Sequence, residues 1–292
     1  MHMKTNVLRT KARAIAPCIV CSIATVIFVA AAAYAAAQPA RTGRTRTGIA
    51  YDVQGQGPAV VLITGSNLDR RMWIREAAWL AATHTVVRYD LRAHGASDTA
   101  TAPFSHLDDL VSLLDETGIR SATLIGLSAG STIALDAALA QPSRVERLVL
   151  VGPSISGFRS SVQLPFTAAL VAALQARDYA KAGEVLLASS VFAVPPESQA
   201  LVRQMVMEND RLWSIPRAFL RPVERPAVDR LNELKIPTLV MVGEQDVFQR
   251  EEAELLAQRV AGARLAVIPD GGHLLNLTSP DAFHAEVSRF LN

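Results

Sequence analysis

Gly126-Leu127-Ser128-Ala129-Gly130 is the stretch of this 292-residue chain whose reading decides its fold. The apolar run 122–126, centred on Thr123, Leu124 and Ile125, precedes it, and a helical pattern covers 129–140. A Gly-x-Ser-x-Gly pentapeptide between strand and helix makes a turn so tight that the flanking positions must lack bulk. The turn lifts the serine above the sheet, at a helix N-terminus where N–H groups and the helix dipole favour negative charge. A plainer reading makes Ser128 a helix N-cap, since serine caps helices routinely. A nucleophilic serine also requires a base, and an acid to orient that base.

On either side of this turn, short apolar runs rich in β-branched residues predict strands at 49–53, 59–63, 85–90, 145–151, 238–242 and 265–268. Helical patterns alternate with them at 71–82, 104–116, 249–260 and 280–291. Alternation of this kind predicts an α/β fold: a mostly parallel central sheet with helices on both faces. The alternation lapses over 153–235, where helical runs at 166–187 and 198–212 are interrupted by Pro195-Pro196, Pro216, Pro222 and Pro226. This interval reads as an inserted helical cap between core segments 49–152 and 236–292. Gly55-Gln56-Gly57-Pro58 lacks the third glycine of a dinucleotide fingerprint and runs into a strand, so it reads as a hairpin turn.

The later strands supply the partners that a nucleophilic serine needs. Asp246 follows the strand at 238–242, and His273 follows the strand at 265–268 within Asp270-Gly271-Gly272-His273. Both lie past strand carboxyl ends, where an open α/β sheet builds its site. The glycines at 271 and 272 are expected to let the backbone turn the imidazole toward Ser128. Glu244 is the alternative acid, two positions before Asp246. His94 reads as a turn-stabilising residue and His284 as a surface residue of the last helix. Trp213 and Phe219 are candidates either for an acyl pocket or for cap–core packing. No His, Asp or Glu cluster has metal-ligand spacing, so no metal and no cofactor is expected.

Across residues 48–292 the sequence resembles the α/β-hydrolase superfamily, in its branch with a serine nucleophile. Two further motifs carry the resemblance. Thr64-Gly65-Ser66-Asn67, with Trp73 downstream, is similar to the family's His-Gly oxyanion loop, and residues 89–97 (YDLRAHGAS) are similar to its Asp-x-Arg-Gly-His-Gly-x-Ser turn. The resemblance implies a catalytic Ser128, Asp246 and His273, with the backbone N–H groups of Ser66 and Ala129 as the oxyanion hole. Two positions depart from the pattern: Thr64 stands for the usual histidine, and Ala93 for the usual glycine between Arg92 and His94. The alanine is expected to matter less, since alanine fits most turns except one that requires positive φ. Serine rather than aspartate at the elbow argues against haloalkane dehalogenase and epoxide hydrolase chemistry. It leaves carboxylic esterase as the leading expectation, with lactonase, C–C hydrolase, aminopeptidase and perhydrolase as alternatives. An aminopeptidase would need cap carboxylates, for which Glu197, Glu208 and Glu224 are available. A non-catalytic binder of small ligands, with a vestigial triad, is the alternative from another class.

Composition frames these readings. Half of the residues are hydrophobic and 19% are charged, which excludes a disordered chain, and a net charge of +2 implies no polyanionic partner such as nucleic acid. All four basic residues before position 38 (Lys4, Arg9, Lys11 and Arg13) precede a charge-free stretch at 14–37 ending in Ala35-Ala36-Ala37. This order is that of a signal peptide, with cleavage expected after Ala37. The stretch is also long enough for an uncleaved membrane anchor. Removing residues 1–37 takes four of the 29 basic residues and none of the 27 acidic ones, so the balance becomes −2. Cys18 and Cys21 leave with the leader. An exported protein, periplasmic or secreted, is therefore expected, with a linker at 38–48. Its expected partner is a small-molecule substrate, with a membrane involved only where the leader stays attached.

Overall fold

A computed structural model describes residues 40–292. The leader, its cleavage point and both cysteines lie outside the described residues. Eight strands form one sheet: β1 (Arg41–Arg44), β2 (Ala50–Gln54), β3 (Ala59–Ile63), β4 (Thr85–Tyr89), β5 (Ala122–Leu127), β6 (Val145–Val151), β7 (Thr238–Gly243) and β8 (Arg264–Ile268). Their spatial order is β1-β2-β4-β3-β5-β6-β7-β8, parallel from β4 to β8, with β1 and β2 antiparallel at one edge. Because β4 lies on one side of β3 and β5 on the other, the chain changes its direction of winding there. The crevice at such a switch point, outside the strand carboxyl ends, is where ligands bind in open α/β sheets.

Side-chain alternation divides the core between the two faces of the sheet. Val61, Ile63, Val87, Leu124, Leu148 and Val240 face one layer, built from α2 (His106–Glu116), α3 (Ala129–Ala140) and α7 (Arg250–Arg259). Val60, Leu62, Val86, Ile125, Val149 and Leu239 face the other, built from α1 (Ile74–Leu80), α8 (Leu275–Thr278) and α9 (Pro280–Leu291). Every residue of β5 is buried, as a central parallel strand covered on both faces requires. Between β6 and β7 the chain forms α4 (Thr167–Gln175), α5 (Tyr179–Leu187) and α6 (Pro196–Glu208). Among the described residues no helix is long and apolar enough to cross a membrane.

Several expectations need correction. Residues 41–44 are not linker but β1, whose register pairs Arg41 with Val53 and Arg44 with Ala50. Arginine, threonine and glycine carry no apolar alternation, yet polar and charged residues suit an exposed sheet edge. Residues 55–58 do not form a hairpin, since β2 and β3 are not partners in the sheet. The helical run at 166–187 breaks in two around Arg177, at φ 55. His284 is not free on the surface: it stacks on Trp79 at 4.4 Å and lies 3.5 Å from the buried Glu76 carboxylate. The exception for alanine applies, because Ala93 is fully buried at φ 63 and its N–H is tied to Asp98 O at 2.9 Å.

Candidate active site

Four loops at the carboxyl ends of β3, β5, β7 and β8 meet around one cavity of about 200 Å³. Ser66, Ser128, Asp246 and His273 all line it. Three larger clefts, of about 550, 480 and 280 Å³, hold none of these four residues.

Ser128 sits at φ 54, ψ −118, in a region that L-residues enter only under strain, and its side chain makes no capping hydrogen bond. The N-cap reading therefore does not describe it. The elbow glycines have packing reasons to lack a Cβ. On Gly126 it would collide with the backbone of Gly130 and lie 2.7 Å from Ser131 N, and on Gly130 it would meet the Thr64 carbonyl oxygen at 2.6 Å. The turn itself is fixed by the Ser128 N–H donating to Val151 O at 2.9 Å, and by the Ser131 hydroxyl donating to Ser128 O at 2.6 Å. These contacts hold the serine above the sheet.

His273 is buried, and its Nδ1 lies 2.7 Å from Asp246 Oδ2. Ionised aspartate only accepts, so Nδ1 carries the proton and Nε2 is left as the basic nitrogen. Glu244 does not compete for this role: its carboxylate accepts from the Asp270 N–H at 3.3 Å. The two glycines of the histidine loop act by close approach rather than by unusual φ. The left-handed residue is Asp270, at φ 55, while Gly271 packs against Gly243 Cα, and the Gly271 carbonyl accepts from Gln245 N at 2.9 Å. The hydrogen-bond partner of His273 is Asp246, and the Ser128 hydroxyl is not bonded to its ring. Catalytic hydrogen bonds commonly tighten only when substrate is bound.

Neither the Ser66 N–H nor the Ala129 N–H donates to an acceptor among the described residues. Ala129 opens α3, where the first backbone donors of a helix have no internal partner. The Ser66 loop is held from the side. The N–H of Asn67, at φ 62, donates to His94 Nε2 at 3.2 Å, while His94 Nδ1 donates to Arg92 O at 2.9 Å. Burial pushes the His94 imidazole down to about 4, so it stays neutral with the one tautomer that serves both bonds. The turn-stabilising role expected of His94 therefore extends to the Ser66 loop, on which Thr64 replaces the usual histidine.

Two neighbours of the His273–Asp246 pair carry almost no sequence signal of their own. Gly152, at φ 48, follows β6, and a Cβ there would lie 2.9 Å from His273 Nδ1 and 3.1 Å from Asp246 Oδ2. A glycine ending a parallel strand beside the elbow strand is the one available cue. Glu252, on α7, is buried and accepts from the Ile155 N–H at 3.3 Å; burial, reinforced by the Asp246 charge, pushes its carboxyl up to about 7. Asp246 Oδ1 is buried without a hydrogen-bond partner among the described residues.

The rest of the cavity is mostly apolar: Leu164, Phe166, Leu186, Val191 and Phe192 come from the β6–β7 interval and Phe248 from the loop after β7, with Asn67 and Gln249 as the further polar residues of its wall. Trp213 and Phe219 do not line it. Trp213 packs near Tyr179, and the Phe219 carbonyl accepts from the Phe104 N–H at 2.7 Å. Glu197, Glu208 and Glu224 are also absent from its walls. Among the described residues no group of three or more His, Cys, Asp or Glu side chains is placed to hold a metal ion.

The sheet order, the strained serine and the flanking loops agree with a match of residues 60–286 to the sequence profile of the alpha/beta hydrolase family. This chain belongs to that family. Among relatives of the alpha/beta hydrolase, the pimeloyl-[acyl-carrier protein] methyl ester esterase of Nitrosospira multiformis is 27% identical over 267 residues, covering 81% of this chain and 95% of that protein. The carboxylesterase YbfK of Bacillus subtilis is 26% identical over 247 residues, covering 80% of each. Among solved structures, a hydrolase from Pseudomonas aeruginosa PA01 superposes with a TM-score of 0.70 at 29% identity, covering 88% of this chain and 99% of that one.

Proposed function

We propose that this alpha/beta hydrolase is a serine hydrolase that cleaves small carboxylic esters by acyl transfer. The observation that carries the reading is the His273–Asp246 pair, joined at 2.7 Å and sharing one cavity with the positive-φ Ser128. In this reading Ser128 Oγ attacks the ester carbonyl while His273 Nε2 takes the hydroxyl proton. Asp246 holds the imidazole tautomer and stabilises the imidazolium that forms. The free N–H groups of Ser66 and Ala129 bind the tetrahedral oxyanion, and each such donor contributes about 2.7–4 kcal/mol to the transition state. His273 then returns the proton to the leaving alcohol, and a water molecule repeats the sequence on the acyl-enzyme.

The apolar walls suit an uncharged acyl or alcohol group, and the carboxylic ester substrates in the names of the two relatives support the same bond type. No carboxylate from the β6–β7 interval lines the cavity, which argues against recognition of a substrate amine by an aminopeptidase. The reading is tested with p-nitrophenyl esters and a fluorophosphonate probe. Wild type is expected to hydrolyse the esters and to be labelled at Ser128, and Ser128→Ala to lose both. Equal hydrolysis by the two forms would overturn it. A protein that neither hydrolyses esters nor labels would point to the ligand-binder class instead. Residues 1–37 are proposed as an export leader on their charge order alone; intact-mass measurement of the exported chain tests this, with a start at Gln38 expected and an unprocessed Met1 start refuting cleavage.

A further inference from the structure

Helix α6 ends at Glu208, and the next residue, Asn209, is completely buried. Its backbone N–H closes the helix on Met205 O at 3.0 Å, while its side chain leaves the β6–β7 interval and reaches two loops of the sheet. Oδ1 accepts from the Gly95 N–H at 2.7 Å, and Nδ2 donates to Asp69 Oδ2 at 3.1 Å and to Asn67 O at 3.3 Å. Both ends of the amide are thus satisfied, and the flip of the amide is fixed, because the Gly95 N–H only donates and the Asn67 carbonyl only accepts.

Asn67 follows Ser66 directly, at φ 62, so its backbone sets how the chain leaves Ser66, one peptide beyond the Gly65–Ser66 peptide that carries the Ser66 N–H. His94 holds its N–H and Asn209 holds its carbonyl, so the loop is clamped on both sides of one residue. The second clamp is itself braced. Asp69 also accepts from Arg71 Nη2 at 2.7 Å, and Arg71 reaches Glu208, the neighbour of Asn209, at 2.6 Å. The histidine that would stand at position 64 is absent, and Thr64 Oγ1 is buried without a hydrogen-bond partner, so Thr64 offers the loop no side-chain support.

We propose that Asn209 is a positioning residue for the oxyanion loop: through Asn67 and Asp69 it fixes the direction of the Ser66 N–H, and so makes the β6–β7 interval part of the catalytic machinery. This rests on the reading of Ser66 as an oxyanion donor in a Ser128 hydrolase. Two variants separate the contributions. Asn209→Ala removes the whole clamp. Asn209→Asp keeps the shape and the acceptor for Gly95 but replaces the donor with a carboxylate facing Asp69.

Each purified full-length variant is compared with wild type by circular dichroism and melting temperature. Steady-state hydrolysis of p-nitrophenyl acetate and inhibition by phenylboronic acid, which forms a tetrahedral adduct on an active serine, are then measured. In folded variants kcat is expected to fall about 10- to 100-fold, the range for a catalytic group displaced by up to about 1 Å. KM is expected to stay within about threefold, because the oxyanion contact is made only in the transition state. Boronate affinity should fall in step with kcat, and Asn209→Asp should lose at least as much as Asn209→Ala. A folded variant of either kind that keeps kcat and boronate affinity within about threefold of wild type overturns the proposal, as does a loss confined to KM. Wild-type hydrolysis that does not depend on Ser128 defeats the underlying reading instead, so the two failures are distinguishable.

Discussion

Replacement of Gly152 by alanine tests whether the His273–Asp246 pair is held as tightly as the geometry shows. At φ 48 a residue with a Cβ loses about 1–2 kcal/mol in backbone energy. The added methyl would stand 2.9 Å from His273 Nδ1, 3.0 Å from Cε1 and 3.1 Å from Asp246 Oδ2. Relaxed carbon contacts are about 3.5–4.0 Å, so the imidazole or the carboxylate must retreat by roughly 0.5 Å. Asp246 and His273 are both buried in close-packed surroundings, and the retreat comes out of the 2.7 Å hydrogen bond. Under the proposed mechanism, misplacement of either group on this scale lowers kcat by about 10- to 100-fold with little change in KM. The backbone strain lowers Tm by about 2–8 °C for a domain of this size. Steady-state ester hydrolysis beside thermal melts measures both. Gly118→Ala is the matched control: φ is 74 there, yet a Cβ meets nothing within 4 Å, so it should lower Tm with kcat unchanged. A Gly152→Ala protein with wild-type kcat would refute the placement of the pair against the end of β6.

Asp246→Asn keeps the shape of the acid but not its charge, and kcat for ester hydrolysis is expected to fall about 10⁴-fold with the fold intact; a fall below tenfold would remove Asp246 from the triad. His94→Ala leaves the Asn67 N–H and the Arg92 carbonyl without their partner, at a cost of about 1–3 kcal/mol in stability and with a lower kcat, both read from denaturant melts and kinetics. Glu76, fully buried beside Asn276 and His284, has its carboxyl pushed up by burial to about 6. Its protonated form therefore favours the native state, a contribution full below about pH 4.5 and lost as the pH rises through about 6. Glu76→Gln should match wild type in stability near pH 4.5 and exceed it by about 2 kcal/mol at pH 7, and urea melts across that range that show a constant difference would refute the linkage.

The parts of the fold legible in the sequence are those carried by strong periodicity. The helices at 106–116 and 280–291 place apolar residues at the helical period, the core strands show as short apolar runs rich in β-branched residues between turn signals, and the helix at 129–140, apolar nearly all round, is legible from its place after the elbow. The edge strand β1 is hidden because Arg41–Arg44 lacks any apolar residue; its pairing with β2 is a matter of backbone hydrogen bonds, which leave no compositional trace. The turn at 55–58 misleads for a related reason. Glycines mark a change of direction but not the identity of the neighbouring strand, and here β4 rather than β3 lies beside β2.

The same division runs through the candidate site. Local sequence determined the elbow, because the backbone of residues 130 and 131 excludes bulk at position 126, and that constraint is written within five residues. Chain order placed Asp246 and His273 after successive strands, and the parallel topology then brings strand carboxyl ends together whatever the intervening sequence. The tertiary structure alone decided which side chains surround these residues. Gly152, Glu252 and Asn209 are ordinary residues of a strand end, a helix face and a helix end, separated from Ser128 by 24, 124 and 81 positions. Only packing sets Gly152 against the imidazole, the Glu252 carboxylate on the Ile155 N–H and the Asn209 amide on the Ser66 loop, as it alone sends Leu164, Phe166 and Phe192 rather than Trp213 into the cavity. The physical reason is one of range: turn sterics and hydrophobic period act within a few residues, whereas desolvation, close contact and hydrogen bonding depend on distance in space, which a one-dimensional pattern does not record.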